Sequence, residues 1–394
     1  MEPSLPTLTR VCPHLSLCNG CPGMEIPYVQ QYANKKKAVE QTLQYYLEDV
    51  EMVPADSLQF YRNKCDYWYD PSSQLGFRSR EDSYQAFASP SCQLLSDKGQ
   101  KAYVQLASLL HAAGFPPYSL MGRSGYLRYV VFRESKTDGH LVIGLYTFTL
   151  DHSPQMETIA QSMIDGSYAD GVVWIHSPQF NDTTDGIIHQ AWGETLLTEK
   201  MNGIPYTYDF RCFFQTNPRM AEKVQTHVTG LVAPQSTVLD LYCGVGLFSI
   251  PLLMKGHWVK GIELSAESIL YARKNAHGLG MNDDSFSFET GDVPKKIQEL
   301  EKANEKFSTI LLDPPRSGLS KKIWRRILRL GPAQIIYVSC NLTALQRDLE
   351  WLEEYCTFTI SSARAFDLFP HTNHVETVVD IHIDSIKEYP KGGF

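Results

Sequence analysis

The chain has 394 residues, 44 acidic against 36 basic for a formal charge of −8, and 43% of its residues are hydrophobic. That is enough sequence for two or three ordinary domains, and the composition excludes disorder as the main state. The acidic balance excludes a protein that coats nucleic acid by bulk electrostatics, but not one that holds RNA in a local basic groove. The longest apolar stretches fall well short of the roughly 18 residues needed to span a bilayer. Met1–Arg10 has two prolines, an acid and no apolar core of an export signal. The expectation is a cytoplasmic protein with no membrane association and no inferred protein partner.

Three cysteines crowd the start as Cys12-x5-Cys18-x2-Cys21. In a cytoplasmic chain such a triplet points to metal rather than to disulfides. Thiolate sites commonly use four soft donors, and Cys92, in SPSCQLL, is the expected fourth. Zinc and an iron–sulfur cluster both use four thiolates, and spacing alone does not separate them. Four ligands would close the site, which argues against radical chemistry at an open iron. The other cysteines, Cys65, Cys212, Cys243 and Cys356, read as small buried residues.

Tyr28–Tyr46 predicts a helix whose run Lys35–Lys36–Lys37 reads as a solvated face. Residues 1–49 are thus expected to form a Cys-rich segment and a helix. Across 50–204, short runs of Tyr, Phe, Trp and Val alternate with polar residues and turns, predicting a mainly β central unit with a half-buried antiparallel sheet. Arg62, Lys64, Arg78, Arg80, Arg123, Arg128 and Arg133 lie among its aromatics. Cations for phosphates and rings for splayed bases are what an RNA surface needs.

From 205 to 394 strands and helices alternate. Strands are expected at Thr237–Tyr242, Trp258–Ile262, Thr309–Leu312, Gln334–Val338 and Val375–Ile383. Helices are expected at Leu247–Lys255, at Ala266–His277 behind the cap Ser265, and after Thr343. This pattern predicts a doubly wound, Rossmann-like α/β domain.

The segment VLDLYCGVGLF, Val238–Phe248, is a strand ending in an acid and a Gly-x-Gly turn that opens a helix, and Glu263 closes the next strand 23 residues after Asp240. An acid there can take both ribose hydroxyls. The third glycine of the dinucleotide fingerprint is missing, so a nucleoside cofactor without a pyrophosphate fits best, and S-adenosylmethionine is the leading one. Two further strands end in LLDPPRSG (Leu311–Gly318) and YVSCNL (Tyr337–Leu342). Ligands bind at the carboxyl edge of such sheets, so Cys340 is a candidate nucleophile. FDLFPHTNHVETV, Phe366–Val378, adds His371, His374 and Glu376 as candidate bases, with the histidines expected to shape the loop. The face Lys321, Lys322, Arg325, Arg326 and Arg329 suits either phosphate or solvent equally.

Taken together, these motifs resemble the S-adenosylmethionine-dependent RNA 5-methyluridine methyltransferases, in the branch with an N-terminal [4Fe-4S] cluster. YRNK at Tyr61–Lys64 and RCFFQTNP at Arg211–Pro218 complete the set. The resemblance implies that Cys12, Cys18, Cys21 and Cys92 hold the cluster, which favours iron over zinc. It implies that Gln215, Tyr242, Glu263, Asp292 and Asp313 bind the cofactor, and that Cys340 is the nucleophile and Glu376 the base. Leu342 departs from the proline usual after SCN, and Leu247 from a polar residue found in several members. With no room before Cys12 for the small β-barrel module of many relatives, the resemblance leads to 23S rRNA as the expected substrate, with a tRNA T-loop uridine as the alternative. Two other readings compete. An amino-group methyltransferase would need no thiol, and a metal-bearing RNA-binding protein would need no cofactor site.

Overall fold

The computed structural model describes residues 5–387. After the cysteine-bearing loop come α1 (Tyr28–Leu43) and the short strand β1 (Glu51–Val53). The central run is β2 (Lys64–Tyr69), β3 (Leu75–Arg78), β4 (Ala86–Phe87), α2 (Asp97–Ala113), β5 (Leu127–Glu134), β6 (Leu141–Thr147), α3 (Ser153–Asp165), β7 (Gly171–His176) and β8 (Ile187–Gly193). Its strands make a seven-stranded sheet in the order β4-β3-β2-β5-β6-β7-β8. The pairing is antiparallel except between β6 and β7, where α3 supplies the crossover that a parallel pair requires.

This region is less purely β than its sequence suggests, and its sheet is buried on both faces. Ala102, Leu106 and Leu110 of α2 and Met156, Ile159 and Met163 of α3 cover one face, packing on Tyr67, Phe132 and Trp174. Val131, Val142, Tyr146 and Val173 point the other way, into a core shared with the C-terminal half. All residues of β6 are therefore buried, which explains its unbroken apolar run.

A hairpin follows, β9 (Leu196–Met201) and β10 (Ile204–Asp209). It turns at Asn202–Gly203, both at positive φ (49° and 82°), the pair that matches the twist of two-residue hairpins. The C-terminal half contains α4 (Pro218–Leu231), β11 (Thr237–Leu241), α5 (Ser249–Met254), β12 (Trp258–Glu263), α6 (Ala266–Gly278), β13 (Phe286–Thr290) and α7 (Val293–Lys302). It continues through β14 (Thr309–Leu312), α8 (Lys321–Arg329), β15 (Gln334–Ser339), α9 (Leu342–Tyr355), β16 (Cys356–Phe366) and β17 (Glu376–Ile386). The eight-stranded sheet runs β1-β16-β17-β15-β14-β11-β12-β13, with β17 antiparallel to both neighbours. Chain order reverses between β11 and β14, which leaves a crevice at their carboxyl ends.

The N-terminal segment is built onto this sheet. β1 pairs in parallel with β16 as its edge, and Val39, Leu43, Val50 and Met52 share a core with Leu345, Leu349 and Ile360. The lysine run does not form a wholly solvated face. Lys35 is 5% exposed and its ammonium meets the Asp367 carboxylate at 2.6 Å. Burying a cation is tolerable only with such a partner.

Candidate active site

The site grows from the carboxyl ends of β11, β12, β14 and β15. Beyond β11 the chain turns through Tyr242, Gly244 and Gly246, all at positive φ (69°, 55° and 91°). At φ 91° Gly246 adopts a conformation that side chains rarely take, and an added Cβ would also press on the end of the Ile250 side chain at 2.9 Å. The turn delivers the Gly244 N–H to Glu263 Oε2 at 3.2 Å, while Ser265 N–H donates to Oε1 at 2.9 Å. Glu263 is thereby fixed beside the glycines. Below it, Asp240 is fully buried; the Ser249 hydroxyl donates to its Oδ2 at 2.5 Å, and its Oδ1 has no partner.

A cavity of about 1130 Å³ opens over these strand ends. Gln215, Tyr242, Glu263, Asp292, Asp313, Cys340 and Glu376 all line it, so the structure gathers every expected cofactor and catalytic residue in one place. Antiparallel register explains part of this. Ser339 of β15 lies opposite Thr377 of β17, so the next residues, Cys340 and Glu376, meet at one sheet edge. Glu376 is 3% exposed, and its Oε1 has no hydrogen-bond partner.

The cavity is acidic. Burial, then the charge of Glu263, pushes Asp313 up to about 7. Burial is also the main cause that raises Asp240 to about 7, with Asp313 and Glu263 adding to it against the Ser249 hydrogen bond. Glu376 is raised well above its ordinary range by burial and then by Asp313, while Arg316 opposes the rise. The Cys340 thiol is pushed up to about 11 by burial, Glu376 and Asp313, again against Arg316. Carboxyls held this close favour a cationic ligand, which would relieve their repulsion. A sulfonium nucleoside fits that charge.

The walls are held by distant segments. Asn63, from YRNK, donates its side-chain amide to the Gln215 carbonyl and its backbone N–H to that of Thr216, both at 3.0 Å. Asn217 Nδ2 donates to the Leu368 carbonyl at 2.9 Å, and the Tyr61 hydroxyl to that of Pro370 at 3.3 Å. His371 sits at φ 68° and is buried; its Nδ1 accepts from the Gln31 amide, its Nε2 donates to the Leu58 carbonyl, and its own carbonyl takes the Gly23 N–H at 2.8 Å. It knots the loop to α1 and to the cysteine segment, as a shaping residue should. His374 lines the cavity.

Several expected RNA contacts are elsewhere. Arg128 and Arg133 are 1% and 4% exposed. Arg128 donates to the carbonyls of Ser177, Gln179 and Asn181, and Arg133 to those of Phe210 and Cys212. They are internal clamps and offer no charge to RNA. Arg78 pairs with Asp182, Arg80 holds Asn19 and the Cys18 carbonyl, and Arg123 lies over Phe180. Lys64 pairs with Asp66, while Arg62 reaches the cavity. On α8, Lys321 pairs with Glu354, and Arg326 and Arg329 with Glu301.

Cys65, Cys212, Cys243 and Cys356 are buried, as small core residues. The cysteine loop closes one side of the cavity through Asn19, Gly20 and Pro22. Among the described residues, no group of three or more His, Cys, Asp or Glu side chains is arranged to hold a metal ion, so the expected iron–sulfur site is not shown by the fold. Leu247 presents an apolar wall where a polar contact was in question, and its carbonyl accepts from Gln225 at 2.7 Å. Arg316, Phe213 and Phe214 line the cavity without having been singled out. Arg316 was legible in principle, three residues after Asp313 on the same strand-end turn.

Known proteins match this chain over most of its length. The family model tRNA (Uracil-5-)-methyltransferase matches residues 189–383. A tRNA (uracil(54)-C(5))-methyltransferase of Pyrococcus horikoshii is 30% identical over 370 residues, covering 94% of this chain and 85% of the relative. An uncharacterized RNA methyltransferase of Caldanaerobacter subterraneus is 29% identical over 393 residues, covering 93% and 83%. The crystal structure of the Pyrococcus abyssi tRNA (uracil-54, C5)-methyltransferase in complex with S-adenosyl-L-homocysteine aligns with a TM-score of 0.76 at 28% identity, over 95% of this chain and 88% of that one. The chain belongs to the tRNA (uracil-5-)-methyltransferase family, and is an S-adenosylmethionine-dependent RNA uracil-C5 methyltransferase.

Proposed function

We propose that Cys340 is the nucleophile and Glu376 the base of this reaction. The observation that carries the assignment is their meeting at one sheet edge inside the cavity, with an unpartnered Glu376 oxygen. Uracil C5 is a weak nucleophile. Addition of the Cys340 thiolate to C6 forms an S–C6 bond and drives the ring's π electrons toward C5 and O4, so that C5 can take a methyl group. Bound S-adenosylmethionine supplies that methyl group. Glu376 then takes the C5 proton, and the returning electron pair expels the Cys340 thiolate and restores the double bond. Gln215, Tyr242, Glu263, Asp292 and Asp313 are assigned to the cofactor. Because a paired uracil exposes neither face, the target is unpaired or flipped.

Cys340→Ala should form no covalent RNA adduct. Glu376→Gln should trap methylated RNA on Cys340 as a retarded band on a denaturing gel, only when cofactor is supplied. A retarded band from Cys340→Ala contradicts the nucleophile, and full turnover by Glu376→Gln moves the base elsewhere, with His374 the first alternative.

For the RNA itself, the names of the Pyrococcus relatives support a tRNA T-loop uridine over the ribosomal substrate expected from the sequence. Mapping 5-methyluridine in tRNA and rRNA with and without the gene separates the two.

We further propose that Cys12, Cys18, Cys21 and Cys92 hold a [4Fe-4S] cluster. Each thiol of Cys18, Cys21 and Cys92 lies in the electrostatic field of others in the set, Cys12 included. Four thiolates suit zinc and an iron–sulfur cluster alike, and the family resemblance is what favours iron. The cluster's role would be to shape the RNA-facing wall. Anaerobically purified protein should carry iron and sulfide, and stoichiometric zinc without iron overturns the assignment.

A further inference from the structure

Cys340 stands between two openings. The first is the cofactor cavity. The second is a groove of about 580 Å³ on its far side, between α1 and the start of α9. Arg316, Cys340, Asn373 and His374 belong to the walls of both. We infer that this second groove carries the sugar–phosphate of a nucleotide next to the target uridine, so that the RNA strand passes over Cys340 from one opening to the other. The inference rests on the methyl-transfer chemistry proposed above.

Charge is the first argument. The chain has 44 acids, and the cofactor cavity is lined by several of them, yet the groove wall contains no Asp or Glu. Beside Cys340 and three apolar residues, its side chains are amides and hydroxyls such as Gln41, Thr343 and Gln346, together with Arg316 and His374. Glu350 reaches its edge only through a 3.1 Å hydrogen bond from the Gln346 amide. A phosphodiester tolerates such a wall and would be repelled by the neighbouring cavity.

Available donors are the second. Gln41 and Asn373 make no side-chain hydrogen bond, and the Arg316 guanidinium makes no ion pair, among the described residues. Arg316 nevertheless lies close enough to depress the Cys340 and Glu376 titrations, so its charge sits at the junction of the two openings. Asn341 is already committed. Its Oδ1 caps α9 at the Thr343 N–H and its Nδ2 holds the Arg316 carbonyl at 2.9 Å. That brace fixes the floor and leaves the exposed Thr343 and Gln41 facing each other's elements as the adjustable walls.

Geometry is the third. A uracil whose C6 contacts Cys340 must leave by a path that does not cross the cofactor, and the groove is the opening that shares the nucleophile without sharing Glu263, Asp292 or Tyr242.

The test places opposite charges at one exposed groove position. Thr343→Glu should raise the KM for RNA about tenfold, and Thr343→Lys should lower it, with kcat and cofactor affinity unchanged in both. Thr343→Lys should also steepen log KM against log salt by about 0.7, the value for one added phosphate contact on a single strand. A structural effect would run the other way, because an acid in the first turn of a helix stabilises it and a lysine does not. Gln41→Glu, on the opposite wall, should repeat the Thr343→Glu result. If wild type methylates uridine and all three variants match it in KM and salt slope, the groove does not hold RNA and is left to another partner. If wild type methylates no uridine at C5, the reaction assignment itself fails, and this inference with it.

Discussion

The two sheets use their polar residues in opposite ways. In the eight-stranded sheet the polar groups that line the cavity sit at strand ends: Glu263 closing β12, Asp313 after β14, Cys340 after β15. In the seven-stranded sheet the prominent cations lie within strands, and Arg128 and Arg133 of β5 are spent on backbone carbonyls from other segments. A strand end at the carboxyl edge of a parallel sheet meets ligand whatever the rest of the chain does. A strand interior meets whatever packs on it, which only the fold decides.

Breaking the Arg133 clamp tests this most severely. Its guanidinium joins β5 to the Phe210–Cys212 carbonyls, just ahead of Gln215 in the cofactor wall. Arg133→Ala strands two buried carbonyls, so unfolding experiments should show a loss of about 3–5 kcal/mol. Cofactor and RNA affinity should fall together. A variant of wild-type stability that loses only RNA binding would return Arg133 to the surface role its sequence suggests.

Lys35 gives the same test from the N-terminal side. Its ammonium bridges the Asp367 carboxylate and the Phe369 carbonyl, and the Tyr28 hydroxyl takes the other Asp367 oxygen. Lys35→Met leaves a buried carboxylate with one neutral donor and should cost about 3 kcal/mol. Adding Asp367→Asn should recover much of that loss. Additive losses in the double variant would show that the two residues act separately.

These cases mark what was legible. Strands β11, β12, β14 and β15 and the Gly-x-Gly turn could be read because each motif carries its own structural context, whereas β13 was not read, and Gln215 and Asp292 entered only through the family resemblance. Boundaries moved little: the strand expected to end at Tyr242 ends at Leu241, because Tyr242 already turns at positive φ. α2 and α3 were not read from the aromatic-rich central sequence. Lys35, Arg128 and Arg133 were misread because their partners lie 332, 49 to 53 and 77 to 79 residues away. Arg316 was passed over because its use depends on Cys340 and Glu376 arriving from two later strands.

Within the catalytic sheet, Asp240 should show the cost of crowding acids. Its folded pKa, about 7, lies above the ordinary carboxylate range, so the folded state holds the proton more tightly than the unfolded one. The resulting stability is full at pH below that ordinary range and is lost as pH rises through about 7. Ligand-free protein should therefore melt at a lower temperature at pH 8 than at pH 5. Asp240→Asn should flatten the curve and gain about 2 kcal/mol at pH 8 relative to wild type. A parallel pair of curves would mean that Asp240 titrates normally.

The smallest effect is the sharpest on mechanism. Burial, and then the charges of Glu376 and Asp313, push the Cys340 thiol up to about 11. A cation arriving there reverses the local field and should lower both the thiol and the carboxyls beside it. S-adenosylmethionine brings a sulfonium charge, whereas S-adenosylhomocysteine has nearly the same shape and a neutral sulfur. Comparing the two ligands at saturation separates charge from crowding. Cys340 also borders the groove beneath α1, so a small alkylating reagent keeps a route to it when the cofactor cavity is filled. Alkylation of Cys340 at pH 8, followed by peptide mass, should run a few-fold faster with S-adenosylmethionine than with S-adenosylhomocysteine, and Arg316→Met should slow both. Equal rates with the two ligands would mean that the thiolate is made by the RNA substrate or by a base, and that cofactor charge does not gate the nucleophile.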